Sequence, residues 1–273
     1  MAQANNNLDI LSNIKLSIQI HLNGLSFCVL EEESHTITYL NHLVFEKKQT
    51  PFKILDRLKE AFSNIDILKN KFSAVTIIYV NELSTLIPKP LFNEDNLADY
   101  LKFNSKILKS DFISYDEISI NDSINVYIPY VNINNFIYDK FGAFTYKHFS
   151  SILIDTILNL EKNASKPKMY IHITKNHFEI IVIKNSKLEF YNTFDYVTKE
   201  DFIYYTLFTI EQLNLNPETI DVKLIGDIIK GDDLYNIAYK YIRFVSFGLR
   251  QDAFNVSELS ISKHSDFILL NSF

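Results

Sequence analysis

The stretch KLSIQIHLNGLSFCVL, residues 15–30, carries the strongest structural signal in this sequence. Apolar residues take every second position on both sides of Asn23-Gly24: Leu16, Ile18, Ile20 and Leu22 before it, and Leu25, Phe27 and Val29 after it. Such alternation is typical of strands with one buried face, and Asn-Gly favours a type I′ turn because both residues tolerate positive φ. The stretch therefore predicts a β-hairpin that turns at Asn23-Gly24.

The residues that follow extend this hairpin to a βββαβ order. Residues 35–45 predict a third strand that continues the meander. Thr50-Pro51 supplies an N-cap and a first-turn proline, and the apolar residues after it recur at helical spacing, which predicts a helix from Pro51 to about Lys69. Residues 72–80 are rich in β-branched side chains and predict a fourth strand.

The second half of the chain repeats this order. Residues 169–174, 178–183 and 188–194 predict another meander, with turns at Lys175-Asn176 and Asn185-Ser186. Thr198 and Asp201 resemble a capping box at the start of a helix that reaches about Leu213, and residues 220–227 predict the fourth strand. The two helix caps, at 198 and 50, and the two fourth strands, at 220 and 72, are each 148 positions apart. Two landmarks in register indicate an internal duplication.

Additional elements distinguish the halves and predict a domain boundary. The first half carries a predicted helix at residues 93–104 and a predicted hairpin at residues 112–130, which turns at residues 121–123. The second half runs through a predicted helix at residues 232–241 into a strand at 244–249. A predicted helix over 149–162 joins the halves. We therefore expect one domain at residues 1–162 and another at 163–273.

The composition excludes several classes of protein. The chain has 273 residues, of which 47% are hydrophobic, so it can bury a substantial core. Its net charge of −6 and its three arginines argue against a nucleic-acid partner. It has a single cysteine, no export signal at its start and no apolar run of the roughly 20 residues that cross a bilayer. We expect a cytoplasmic protein without direct membrane insertion.

The duplicated order resembles the ribonuclease-H-like unit of the actin-like ATPase superfamily. The opening stretch, residues 16–30, is also similar to an uncharacterised bacterial family known as domain of unknown function 3822. The first resemblance implies an α/β fold of two ribonuclease-H-like halves, the first over residues 1–162 and the second over 163–273. The second resemblance implies no activity.

Members of that superfamily bind ATP between the halves, with an Asp-x-Gly turn in each first hairpin and a glycine pair at the adenosine. Here the first turn keeps Gly24 but has no aspartate, and the second turn, residues 172–177, has neither residue. Gly226 and Gly231 flank the expected adenosine loop but are not adjacent. If a nucleotide binds, Asn23, Gly24, Gly226 and Gly231 are the residues expected to line its site. Because Mg²⁺ is usually held through carboxylates together with phosphates, we expect a degenerate, non-hydrolysing version of the fold with no cofactor.

The histidines form the remaining candidate site. His172 and His177 lie in and beside the second hairpin and His21 takes the matching place in the first, so a cleft between the halves could gather imidazoles. Their spacing is not a zinc pattern, and turn histidines are readily satisfied by backbone, which favours a structural role and no metal site.

Three further patterns have structural interpretations that we prefer to chemical ones. Cys28 lies in an apolar strand with no basic neighbour, which indicates a buried structural thiol. The aspartates 227, 232 and 233 favour helix capping over a cation site. Residues 244–248 lack the first glycine of a nucleophile elbow and predict a strand. The sequence therefore indicates no catalytic residues.

Three functional hypotheses follow. The first is a non-catalytic actin-like scaffold or adaptor that binds another protein through the groove between the halves or through an aromatic face. The chain contains 22 Phe and 16 Tyr, although core filling explains them equally well. The second is a divergent ATP-binding ATPase or kinase, and the third is an enzyme that uses the histidines of the cleft. The protein partner is unidentified, and homo-oligomerisation stays open.

Overall fold

A computed structural model describes residues 13–103, 107–108, 111–251, 254–256 and 261–273, and its first element is the predicted hairpin. Strands β1 (Ile14–His21) and β2 (Gly24–Glu31) pair with His21 opposite Gly24, so Leu22 and Asn23 form the turn. Neither has a positive φ, so the predicted type I′ turn at Asn23-Gly24 is wrong. Gly24 serves a different purpose, because a Cβ there would lie 2.7 Å from the carbonyl oxygen of Leu43 on the neighbouring strand.

The first sheet has five strands in the order β3-β2-β1-β4-β8. The additional strands are β3 (Thr36–Val44), β4 (Ala74–Val80) and β8 (Thr145–His148). β4 lies parallel to β1, whereas β2 and β3 form the antiparallel meander that the sequence predicts. Helices α1 (Pro51–Asn64) and α3 (Val131–Phe141) pack on one face of this sheet and bury its apolar side chains.

Helix α1 begins where the sequence predicts and ends earlier. The Thr50 side chain accepts a hydrogen bond from the backbone N–H of Lys53, which confirms the predicted N-cap. Ile65 then adopts an extended conformation with φ of −99°, and Asp66–Lys69 form a separate 3₁₀ turn. The prediction that one helix reaches Lys69 is therefore wrong, because the chain changes direction to bury Leu68.

The second sheet repeats the topology of the first, in the order β11-β10-β9-β12-β13. Its strands are β9 (Lys168–Ile173), β10 (His177–Lys184), β11 (Lys187–Asp195), β12 (Asp221–Gly226) and β13 (Phe244–Phe247). The predicted turn at Asn185-Ser186 is confirmed, with φ values of 51° and 60°. A two-residue loop with two positive φ values is a type I′ turn, so this turn type occurs in the second half.

Helices α5 (Lys199–Gln212) and α6 (Asp233–Tyr241) pack on one face of the second sheet. Thr198 and Asp201 form the predicted capping box, and Asp232 caps α6 by accepting the N–H of Tyr235. α1 and α5 have 14 residues each, and both of their ends are 148 positions apart. The duplication predicted from the sequence is thus present in the helices as well as in the sheets.

A smaller three-stranded sheet is inserted in the first half. Its strands are β5 (Ser84–Pro88), β6 (Ser114–Ile118) and β7 (Ser123–Tyr127), in the order β5-β7-β6. The β6–β7 hairpin confirms the one predicted at residues 112–130. The helix predicted at residues 93–104 is shorter, because a 3₁₀ turn at Glu94–Asn96 precedes α2 (Leu97–Leu101); residue 104 lies outside the described residues.

The two sheets share a core that is built around helix α4 (Phe149–Leu160) and helix α7 (Phe267–Leu270). All four residues of α7 are buried there, together with side chains from both sheets such as Ile78 and Ile181. Cys28 is fully buried in the same core, which confirms its structural interpretation. The predicted boundary between residues 162 and 163 falls between α4 and β9, and the division into two domains stays a prediction.

None of the helices in the described part of the chain is long and apolar enough to span a membrane.

Candidate functional site

A cleft of about 580 Å³ lies where the first hairpins of the two sheets approach each other. The first sheet contributes the β1–β2 turn and the end of β3, and the second sheet contributes the β9–β10 turn, residues 174–176. Asn23 and Gly24 line the cleft, as the nucleotide interpretation expects. The cleft therefore contains two of the four residues expected at a nucleotide site, and nucleotide binding there stays a prediction.

Two imidazoles meet in this cleft. The ring centroids of His21 and His177 are 5.7 Å apart, and the planes are tilted by 33°. The prediction that a cleft between the halves gathers imidazoles is confirmed for His21 and His177, whereas His172 does not line this cleft. Burial, followed by the charges of His177 and Lys48, lowers the pKa of His21 to about 4, so this imidazole is neutral near pH 7.

A buried carboxylate lies behind the imidazole pair. Glu179 is fully buried, and its Oε2 lies 2.6 Å from Nδ1 of His172. Its Oε1 is 3.3 Å from Nε2 of His177. Glu179 thus lies between two histidines of the second hairpin, with a hydrogen-bond contact to His172 and only ion-pair proximity to His177, because its Oε1 has no hydrogen-bond partner within the described residues.

The cleft does not assemble a metal site. Within the described residues, no group of three or more His, Cys, Asp or Glu side chains is arranged to hold a metal ion. Burial, acting against the charge of His172, raises the pKa of Asp227 at the cleft wall. The two turns contribute Lys175 but no carboxylate, and the acidic residues that line the cleft, Glu46, Asp227 and Asp266, come from other elements.

Residues 261–273, which we call the C-terminal segment, contribute Asp266 to the lining of the cleft. The carbonyl of His264 accepts the backbone N–H of Gly226 at 2.7 Å, and the imidazole of His264 stacks on Phe247 with centroids 4.1 Å apart. Asp266 forms an ion pair of 3.1 Å with His42 on β3 of the opposite sheet. Its hydrogen bond raises the pKa of His42. The segment therefore connects the second sheet to the first.

Arg250 holds the C-terminal segment in place through hydrogen bonds to its main chain. It is 4% exposed and donates through Nη1 to the carbonyl oxygens of Ser262 and Ser265. Its backbone N–H donates to the carbonyl of Lys263. A buried guanidinium that binds main-chain carbonyls holds the segment as a defined turn.

The structure separates the two glycines expected at the adenosine. Gly226 has φ of +89°, and a Cβ there would lie 2.3 Å from the carbonyl oxygen of Ile173. It is packed between β9 and the C-terminal segment. Gly231, with φ of +92°, has open space where its Cβ would be, in the loop before α6. Asn23 and Gly24 lie together in the cleft, whereas neither Gly226 nor Gly231 lines it.

The sequence missed Asp266, His264 and Arg250. Each acts through a partner remote in the chain, and no local spacing marks it. The one signal in the sequence is the unbroken apolar run at residues 267–270, which predicts that this part of the segment is buried in the core.

The family of the chain follows from its sequence as a whole. The model of a family described as protein of unknown function (DUF3822) matches residues 3–245. The chain belongs to the DUF3822 family. This match confirms the similarity of residues 16–30 to that family. Because the family is described as one of unknown function, membership implies no activity.

Solved structures share the fold of this DUF3822 chain. A Bacteroides thetaiotaomicron VPI-5482 protein with an actin-like ATPase fold and unknown function is 22% identical, with a TM-score of 0.78 over 91% of this chain and 95% of that one. The PilM-PilN type IV pilus biogenesis complex contains a chain 8% identical, with a TM-score of 0.66 over 94% and 97%. No curated protein matches the sequence. The predicted fold class, an α/β protein of actin-like ATPase architecture, is confirmed.

Proposed function

We propose that this chain is a non-catalytic, actin-like scaffold or adaptor of the cytoplasm that binds another protein. The observation that carries the proposal is a pair of stacked aromatic rings on the outer side of α5. Tyr204 and Phe208 have centroids 6.1 Å apart and are 61% and 45% exposed. Exposed aromatic side chains are enriched where proteins bind each other, because they bury a large area at low entropic cost.

Further exposed aromatic residues lie on the neighbouring elements. α6 packs beside α5, and Lys199 and Asp233 approach to 3.6 Å near the starts of the two helices. Tyr239 and Tyr241 on α6 and Phe244 at the start of β13 are exposed. We call Tyr204, Phe208, Tyr239, Tyr241 and Phe244 the aromatic face. Its residues lie on three neighbouring elements, and the stacked pair Tyr204 and Phe208 is the part of it in which two rings form one apolar surface.

Two considerations support the proposal. The two turns that would hold Mg-ATP provide no carboxylate, so Glu46, Asp227 and Asp266 line the cleft from other elements, and the C-terminal segment packs against Gly226 where an adenosine was expected. A structure with the same fold is itself a complex of two proteins, PilM and PilN. The fold is therefore compatible with protein binding as a main role.

A photocrosslinking experiment tests the proposal. Benzoylphenylalanine replaces Tyr204 in one variant and Tyr138 in a matched control, because Tyr138 on α3 is also 63% exposed but lies in the other half. We expect a discrete covalent product with one protein in cells from position 204 and none from position 138. That protein, once purified, should lose about tenfold in affinity for a Tyr204→Ala, Phe208→Ala variant. Identical products from both positions, or none from position 204, would contradict the aromatic face as the binding surface.

A divergent ATP-binding protein is the second candidate, and the size of the cleft favours it. Its volume of about 580 Å³ is in the range of small-molecule sites, and Lys48 and Lys175 line it. A ligand that binds only the folded state raises its stability by RT ln(1 + [L]/Kd), so millimolar Mg-ATP should raise the melting temperature if it binds.

The matched variants are Lys175→Glu inside the cleft and Lys166→Glu outside it, both at exposed positions. A shift abolished by Lys175→Glu and kept by Lys166→Glu would establish ATP binding and overturn the scaffold proposal. The absence of a shift would remove the ATP candidate. Gly24→Val is unsuitable, because its side chain would collide with the carbonyl of Leu43 whether or not a nucleotide binds.

A further inference from the structure

A second cavity, of about 540 Å³, lies between the small inserted sheet and β11. Its walls are mostly polar and include Glu82, Ser84 and Asn125 from the first half and Tyr191, Thr193 and Asp195 from β11. The cavity is separate from the aromatic face and shares none of these six residues with the histidine cleft. Its chemistry can be derived from a buried hydrogen-bond network that ends at Asn125.

The network begins at His148, the N-cap of α4. Burial lowers the pKa of His148 to about 3, so the ring is neutral and carries one N–H. That N–H is on Nε2, because Nε2 lies 3.0 Å from the carbonyl of Asn81, which can only accept. Nδ1 is therefore an acceptor, and the hydroxyl of Ser150, 2.6 Å away, donates to it. Ser150 is then left to accept a hydrogen bond from Nδ2 of Asn125 at 3.0 Å.

The Ser151 hydroxyl, like that of Ser150, donates its hydrogen elsewhere and accepts from Asn125. The Oδ2 of Asp116 accepts the backbone N–H of His148 at 2.8 Å and the hydroxyl hydrogen of Ser151 at 2.6 Å. Having donated to Asp116, Ser151 accepts from Nδ2 of Asn125 at 2.9 Å. Both N–H groups of the amide are thus directed to serines, and the amide cannot be reversed without breaking the network.

The carbonyl oxygen of Asn125 is the open end of this network. Asn125 is 1% exposed, and its Oδ1 has no hydrogen-bond partner within the described part of the chain. A buried acceptor without a donor is destabilising, because the desolvation of its oxygen is not offset by a hydrogen bond. Since Asn125 lines the cavity and turns its nitrogen to the serines, the cavity is where a donor would be found.

The charged residues around the cavity indicate that the donor carries a positive charge. Glu82 and Asp195 line the cavity, and none of the described residues that line it is a lysine or an arginine. Lys48 approaches Glu82 to 3.3 Å from outside, but both side chains are largely exposed, so this pair compensates little. Burial acts to raise the pKa of Glu82, but its own backbone N–H and Lys48 outweigh it and lower that pKa, which keeps the carboxylate charged.

We propose that this cavity binds a protonated primary amine. An ammonium group has three N–H donors and no acceptor, which matches one amide oxygen and two carboxylates. The amine is brought either by a free alkylamine or by the lysine side chain of another protein. The site does not depend on the aromatic face, so either proposal can fail without the other.

Calorimetric titration of the full chain near pH 7 tests the site. The probes are n-butylammonium for a free amine and N-acetyl-lysine amide for a protein side chain. Tetramethylammonium, which has the charge without N–H donors, is the control. We expect saturable binding of at least one amine probe and none of tetramethylammonium. Binding of butylammonium alone assigns the site to free amines, and binding of the lysine derivative alone assigns it to a lysine of a partner.

The variants are Glu82→Gln, Asp195→Asn and Asn125→Leu, with Asp99→Asn as the matched control, because Asp99 forms an exposed pair with Lys102 elsewhere in the chain. Each cavity variant should weaken binding about tenfold, and the control should leave it unchanged. Glu82→Gln and Asp195→Asn keep the test valid if Asn125→Leu fails to fold. Absence of amine binding, equal binding of tetramethylammonium, or binding that none of the cavity variants alters would overturn the proposal.

Discussion

The imidazole rings of His21 and His177 face each other across the two halves with their centroids 5.7 Å apart. His21 lies at the end of β1 and His177 at the start of β10, at the first hairpin of each sheet. The charged and titratable groups around His21 are His177, Lys48, Glu82 and Glu179. The junction between the halves is therefore sensitive to protonation.

The stability of the protein should fall on acidification through His21. Its pKa is lowered from 6.5 to about 4 in the folded protein, so between these values the unfolded chain binds a proton that the folded chain does not. The free energy of unfolding should decrease as the pH falls from 6.5 to 4, by no more than about 3 kcal/mol from this residue. Urea unfolding at several pH values should show a shallower decrease for His21→Gln. His35→Asn, which alters an exposed loop histidine, should retain the wild-type slope.

The His42–Asp266 pair should respond to pH with the opposite sign. The hydrogen bond with Asp266 raises the pKa of His42, so its stabilising contribution is complete below pH 6.5 and is lost as the pH rises through the folded pKa. Asp266→Asn should cost about 1 kcal/mol or less near pH 6 and close to nothing near pH 9, since the pair is partly exposed. In the Asp266→Asn variant, amide hydrogen exchange in residues 261–273 should be faster than in the unsubstituted protein near pH 6 and equal to it near pH 9.

Asp122→Asn is the matched control for this variant. Asp122 and Asp266 both have left-handed backbones, with φ of 49° and 50°, which asparagine tolerates. Asp122 is exposed in the β6–β7 turn. A similar pH-dependent cost in both variants would show that the effect does not come from the link to His42.

Arg250 should be far more important than the other arginine of the second half. Arg250→Gln removes a buried cation from the carbonyls of Ser262 and Ser265, and we expect the free energy of unfolding to fall by about 2–3 kcal/mol. Arg243→Gln removes an exposed pair with Glu218 and should change it by less than about 0.5 kcal/mol. Chemical denaturation measures both, and equal effects would contradict the anchoring role of Arg250.

Two glycines with similar backbones should differ in their tolerance of a side chain. Gly226→Ala combines a positive φ with a Cβ that would lie 2.3 Å from the carbonyl of Ile173, so we expect a loss of about 4 kcal/mol or more. Gly231→Ala has the same backbone penalty in open space and should lose about 1–2 kcal/mol. Urea unfolding of the two variants compares them directly. If Gly226→Ala cost no more than Gly231→Ala, Gly226 would not be packed as described.

Elements with short-range signals were predictable from the residues alone. Alternation predicted the meanders of both sheets, and Thr50 and Thr198 predicted the starts of α1 and α5. These signals depend on neighbours two to four positions apart, so they survive without knowledge of the rest of the fold. The type of the first turn was mispredicted because the conformation at Gly24 is set by its close approach to the backbone of Leu43, 19 positions away in the sequence.

The element order, the duplication and the meeting of His21 with His177 therefore follow from sequence patterns, since each hairpin and helix is specified by its own residues. The place of Asp266 in the cleft, the anchoring of its segment by Arg250, and the network that leaves Asn125 without a donor among the described residues depend on packing. Asn125 joins Ser150 and Ser151 from a different element, and Asp266 reaches His42 across more than two hundred positions. Such contacts form when α4 and α7 bury their apolar side chains between the sheets, and no local spacing encodes which polar groups are then brought together.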